Sequence, residues 1–133
     1  MADKEIVLSF VKAINDHDID KITDLMTEDH VFIDGSGNKH IGKEGMKNGW
    51  QSYYQMFPDY VIEITDVIEH KSILGLFGFA SGTYTNNIKD KSDSNFWKTT
   101  AAWKAIVQDN KIKHWQVFCD YTRLMEIINK KPN

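Results

Sequence analysis

One cysteine in 133 residues, Cys119, leaves no partner for an internal disulfide and points to a reducing compartment, the cytoplasm. Basic residues are not concentrated anywhere: 16 Lys and Arg are spread among 19 Asp and Glu, for a net charge of −3. A surface built for phosphate backbones needs clustered cations, so nucleic acid is excluded as the main partner. No apolar stretch approaches the roughly 20 residues of a membrane helix. The first residues are acidic and amphipathic from Asp3 onward, not basic and then apolar, so no secretory signal is expected. The five histidines lack ligand spacing of the His-x-x-x-His kind, and neither a metal nor a cofactor is expected. Repeats, low-complexity tracts and interdomain linkers are missing too.

What remains is ordinary globular composition, 41% apolar and 26% charged, in a length suited to one domain over residues 1–133. Asp3 is a candidate N-cap for a helix whose Ile6, Val7, Phe10, Val11 and Ile14 recur at helical spacing. Asn15-Asp16-His17 ends it, and Asp18 can cap a second short helix. Val31 to Ile33 reads as a strand that turns at Asp34-Gly35-Ser36-Gly37-Asn38 toward Lys39-His40-Ile41. A third helix follows Gly42, with Met46, Trp50, Tyr53, Tyr54 and Phe57 on one face, and stops at Pro58.

From Tyr60 the period becomes 2. Tyr60, Ile62, Ile64 and Ile68 are expected on one face of a strand, and His70-Lys71 turns into a strand from Ile73 to Thr85. Asn86 to Asn95 is expected to be a surface loop. Asp109-Asn110 suits a two-residue hairpin turn between the last two strands. A regular register from that turn opposes Val107 to Ile112, Ala105 to His114, Trp103 to Gln116, Ala101 to Phe118 and Thr99 to Asp120. The other face then carries Ala102, Trp115, Val117 and Cys119. A slip of one residue would exchange the faces. Leu124 to Ile128 closes the chain as a short helix. Helices before a meander of strands give an α+β class, with the helices covering one face of a curved antiparallel sheet.

The order of these pieces resembles the NTF2-like superfamily, and within it the SnoaL-like proteins. Helix, Asn15-Asp16-His17-Asp18, helix, strand, Asp34-x-x-Gly37 turn, helix is similar to the N-terminal half of that fold. Phe57-Pro58-Asp59, Gly82-Thr83-Tyr84-Thr85 and the run from Lys111 to Asp120 are similar to its later motifs. The resemblance implies a cone of sheet, a cystatin-like α+β barrel, around a helix, with an apolar pocket and frequent dimers through the convex sheet face. The superfamily holds isomerases, cyclases, hydrolases and non-catalytic binders, so the fold alone does not choose the chemistry.

Carried over residue by residue, Asp34 falls where ketosteroid isomerases hold their proton-abstracting carboxylate, and Asp120 where polyketide cyclases hold an acid/base aspartate. The isomerases' oxyanion donors fall on Phe10 and near Ala101 and Ala102, which cannot donate, so that activity is not expected. Tyr84 stands where cyclases carry a histidine. Each candidate also has a plain reading: Asp34 as a turn acceptor, Asp120 as a helix cap, His114 as a pocket-lining residue and not a base. Phe10, Trp50, Tyr54, Trp97, Thr99, Ala101, Trp103, Gln116 and Phe118 are the candidate pocket residues, although buried aromatics are usually core. Three functions stay open: an enzyme moving protons on a small apolar oxygenated molecule, a binding module for such a molecule, and a dimeric scaffold. Trp115, Val117, Ala102 and Ile106, ringed by lysines, are the expected dimer face.

Overall fold

A computed structural model describes residues 2–86 and 95–129. Helix α1 spans Asp3–Asn15, α2 Ile19–Asp24, α3 Lys43–Met56 and α4 Thr122–Ile128. The strands are β1 Met26–Ile33, β2 Lys39–Ile41, β3 Val61–His70, β4 Ile73–Thr83, β5 Phe96–Gln108 and β6 Lys111–Cys119. They form one curved, unclosed sheet in the order β2-β1-β6-β5-β4-β3, in which only β1 and β6 run parallel. The α+β cone expected from the sequence is present, with an open sheet.

Local chemistry accounts for most boundaries. Asp18 caps α2, its carboxylate accepting from the Lys21 N–H at 3.1 Å. Asp3 does not cap α1. Ala2 holds the N-cap position and makes no side-chain bond, while Asp3 lies in the first turn, where its charge suits the helix dipole. Gly42 precedes α3 at φ 105°, a conformation costly for any residue with a Cβ, and its N–H donates to His30 O at 2.8 Å. Asn95, expected in the surface loop, is buried and donates to Tyr84 O; most of that loop lies outside the described residues.

The inner layer is α1 packed against β3, β5 and β6. Ile6, Val7, Phe10, Val11, Ala13 and Ile14 are all buried there. Burying a side chain of this size contributes about 1.5–3 kcal/mol, so α1 is held by its packed face more than by its own propensity.

Two bulges change which residues face that layer. In β3, Ile64 pairs with Gly78 but Asp66 pairs with Phe77, leaving Thr65 extra. The parity flips, so Val67 is half-buried and Ile68, expected inside, is exposed. At the last hairpin the Asp109-Asn110 turn forms as expected, both residues at positive φ. Val107 opposes Ile112 as expected too, but Ile106 then opposes His114, so Lys113 is an extra residue. From there the register is Ala105 to Trp115, Trp103 to Val117 and Ala101 to Cys119. Trp115 and Val117 are therefore buried inside, and His114, Gln116 and Phe118 lie on the outer face. The expected faces of β6 are exchanged, because a bulge inserts one residue and thereby moves every later side chain across the sheet.

Candidate functional site

A cavity of about 500 Å³ opens between α3 and the sheet. Its aromatic walls are Trp50 and Tyr53 from α3, Tyr60 ahead of β3, Trp103 from β5, Trp115 from β6 and Phe32 from β1. Trp50 meets Tyr53 edge-on at 6.0 Å, and Tyr53 meets Tyr60 edge-on at 4.8 Å. Burial raises the phenols of Tyr53, Tyr60 and Tyr121 well above the usual tyrosine range. They stay protonated; the Tyr53 and Tyr60 hydroxyls bond to each other and the Tyr121 hydroxyl to the Cys119 thiol, so one phenol proton of the Tyr53–Tyr60 pair is left for a ligand oxygen.

At the rim Asp34 and His40 form a pair. The Asp34 carboxylate accepts from the N–H groups of Ser36 at 3.0 Å and Asn38 at 2.9 Å. His40 Nε2 lies 3.2 Å from its other oxygen. A carboxylate only accepts when ionised, so His40 Nε2 carries a proton in this contact. Burial pushes the Asp34 carboxyl up, but His40 and the Asn38 and Ser36 N–H groups outweigh it and hold it below the usual carboxylate range. Asp34 is thus a turn acceptor that also borders the cavity.

Of the candidate residues, the structure brings Asp34, Trp50 and Trp103 to the cavity. The others are elsewhere. Asp120 is exposed beside α4, its Oδ1 accepting from the Thr122 N–H at 2.9 Å and hydroxyl at 2.6 Å, contacts that lower its pKa. His114 and Gln116 pair with each other at 3.2 Å on the outer face, and burial lowers the pKa of His114. Phe118 is 49% exposed there. All three were expected inside on a regular register, and the Lys113 bulge places them outside.

Phe10 is core, edge-on to Trp115 at 5.0 Å, one layer behind the cavity wall. Tyr54 donates to Ile14 O at 2.7 Å and stacks on His17 at 3.9 Å, so it ties α3 to α1. Trp97 packs edge-on against Phe57 at 5.5 Å. The Thr99 hydroxyl donates to Asp120 O, and Ala101 is buried in β5. These five residues stiffen the frame and do not line the cavity.

Sequence reasoning passed over several lining residues. His40 is exposed on β2 yet reaches the rim, and its place opposite Phe32 in the β1–β2 pairing follows once the turn is accepted. Tyr121 lies over Gly35, where any Cβ would overlap its ring, and it separates the cavity from a shallow groove near Cys119 and Met125. Burial raises the Cys119 thiol, so it is a poor thiolate. Among the described residues no three His, Cys, Asp or Glu side chains converge as metal ligands. No described helix is long and apolar enough to cross a membrane.

An NTF2-like cone with an aromatic cavity under its third helix is the class this architecture defines. Residues 7–115 match the SnoaL-like domain family, and the chain belongs to it. Among solved structures it is similar to a candidate SnoaL-like polyketide cyclase of Shewanella denitrificans, 13% identical, TM-score 0.82, covering 97% of this chain and 98% of that one. It is also similar to IdmH of Streptomyces antibioticus, a candidate polyketide cyclase, 17% identical, TM-score 0.79, covering 98% and 100%. A third is a protein of Catenulispora acidiphila with a ketosteroid isomerase-like fold, in complex with trimethylamine, 14% identical, TM-score 0.80, covering 96% and 98%. Identities this low establish shared fold alone. No curated protein matches the chain.

Proposed function

We propose that this chain binds a small, largely apolar, oxygen-bearing molecule in the cavity and moves a proton on it through the Asp34–His40 pair. The observation that carries the reading is that this hydrogen-bonded pair stands at the rim of an aromatic cavity. The depressed pKa of Asp34 makes it a weak base by itself. Its role is to fix the His40 tautomer, leaving Nδ1 to take the proton, while the hydrogen-bonded Tyr53–Tyr60 pair steadies the charge that develops on the ligand oxygen. Isomerisation, cyclisation and hydration all fit such a step. The candidate polyketide cyclases of the same fold favour the same class of chemistry by fold analogy.

The turn-locked carboxylate favours a second reading, a binding module that performs no chemistry. Deuterium exchange alpha to the carbonyl of 2-tetralone in D2O, followed by NMR, separates the two. Exchange faster than in buffer, and lost in Asp34→Asn and His40→Ala, supports proton transfer. Binding with exchange at the buffer rate leaves the binding module.

We also propose a homodimer through the outer sheet face, in the cytoplasm. The face differs from the expected one, since Trp115 and Val117 are buried inside. Phe77, Phe118 and Ile73 provide the exposed apolar surface in their place. Sedimentation of the wild type and of Phe118→Glu tests it; a wild-type monomer sinks it.

A further inference from the structure

The mouth of the cavity runs along α3, and the side of α3 that borders it carries Gly45 and Gly49. They are four residues apart and so lie on one face of the helix, one turn above the other. Glycine inside a helix lowers stability relative to alanine, because the unfolded chain gains conformational freedom. Neither glycine is demanded by packing: a Cβ built on either meets nothing within 4 Å. Neither has the positive φ that would require it, unlike Gly42 just ahead of the helix. The helix therefore forgoes stability on the face that borders the cavity.

A second observation at the same wall points to a ligand. Trp50 follows Gly49, is 7% exposed and lines the cavity, and its buried indole N–H has no hydrogen-bond partner. A buried donor without an acceptor is costly, and an oxygen on the bound molecule is the kind of group that relieves it.

We infer that Gly45 and Gly49 are specificity-determining positions: their missing side chains hold the mouth open along α3 and set the width of what enters beside Trp50. The inference rests on the reading that the cavity binds a small molecule. Side chains at these positions extend into open space, so they strengthen the helix while they narrow the entrance. A purely structural glycine would do the opposite, since replacing it would harm the fold.

The test measures melting temperature and 2-naphthol binding in the wild type, Gly45→Ala, Gly49→Ala, Gly45→Leu and Gly49→Leu. Binding is followed by stopped-flow tryptophan fluorescence, and oligomeric state by sedimentation. Each alanine is expected to raise the melting temperature by about 3 °C. Each leucine is expected to slow 2-naphthol association and weaken its affinity by about tenfold or more with the fold intact. Leucine variants that bind 2-naphthol as the wild type does overturn the inference and leave the cavity reading standing. Alanine variants that melt lower overturn it as well, since the glycines then serve packing. A wild-type oligomer that the leucine variants dissociate also overturns it, by making the stripe a contact between helices. A wild type that binds no 2-naphthol overturns the cavity reading and this inference together.

Discussion

Helices α1 and α3 cover the same sheet with opposite results. Six of the 13 residues of α1 are buried, an unbroken aliphatic and aromatic face that fills the space beneath it. In the 14 residues of α3 only Met46 and Trp50 are buried, with Gly45 and Gly49 beside them. Phe10 under α1 closes on Trp115, while on the α3 side of that indole the space stays open. The difference lies in side-chain volume at matching helical positions. A continuous apolar face yields core; aromatics alternating with glycine yield a cavity with flat walls. The division predicts where mutations cost stability and where they cost function.

Phe10→Ala should have the largest effect on the fold, a loss of about 3–5 kcal/mol in denaturant unfolding, because the ring is fully buried against Trp115. Trp50→Phe on the open side should cost well under half of that. Equal losses would erase the distinction between the two halves.

Asp34→Asn is the converse case. Proton exchange on 2-tetralone should fall about 100-fold, within the usual range for general acid–base groups, with little change in melting temperature. Asparagine keeps the Oδ1 that accepts from the Ser36 and Asn38 N–H groups, so the structural cost of the change is small. An unfolded variant would mean that the turn, not the chemistry, needs this carboxylate.

The packed half should also show a pH dependence. His30 is fully buried, with Nδ1 donating to Ile112 O at 2.8 Å and Nε2 unpartnered. Burial lowers its pKa from the ordinary 6.5. Below pH 6.5 the unfolded chain takes up the proton while the folded chain still resists it. Stability is thus fully present above pH 6.5 and declines as pH falls toward the lower folded value. Outward-facing His114, also shifted down by burial, adds to the same slope. Stability measured between pH 7 and 5 should flatten in His30→Gln more than in His114→Gln. The reverse order would move the sensitive histidine to the outer face.

The smallest effect is expected from deleting Lys113. The bulge residue is extra, so its removal restores a regular hairpin that still opposes Ile106 to His114 and Ala105 to Trp115. Tryptophan fluorescence should stay that of buried indoles, with a loss of stability smaller than for Phe10→Ala. A shift to solvent-exposed tryptophan emission would show that the bulge itself holds the faces.

The outer face follows the same logic. Its apolar side chains became legible only once the bulge was placed. From sequence, β6 read as a regular strand, because nothing in Lys111-Ile112-Lys113-His114-Trp115 marks where an extra residue sits. Bulges are decided by how neighbouring strands bend and pair, and β1 runs parallel to β6 across that same stretch with a register shift of its own. Thr65 carries no such mark within β3 itself; the signal lies across the pair at Gly78, where a Cβ would overlap the Glu63 carbonyl.

Local and periodic features were set by the sequence alone. The cap at Asp18, the Asp34 turn, the break at Pro58 and the positive-φ pair Asp109-Asn110 depend on contacts within a few residues, and each formed where the residues placed it. The order of elements and the SnoaL-like membership belong with these, since they rest on patterns along the chain. Tertiary structure decided the site. It gathered Asp34 and His40 with Trp50, Tyr60 and Trp115, residues up to about 80 positions apart, and sent Asp120, His114 and Phe118 elsewhere. Side-chain direction in a strand reverses with every residue, so one bulge fixed by strand packing outweighs any local preference.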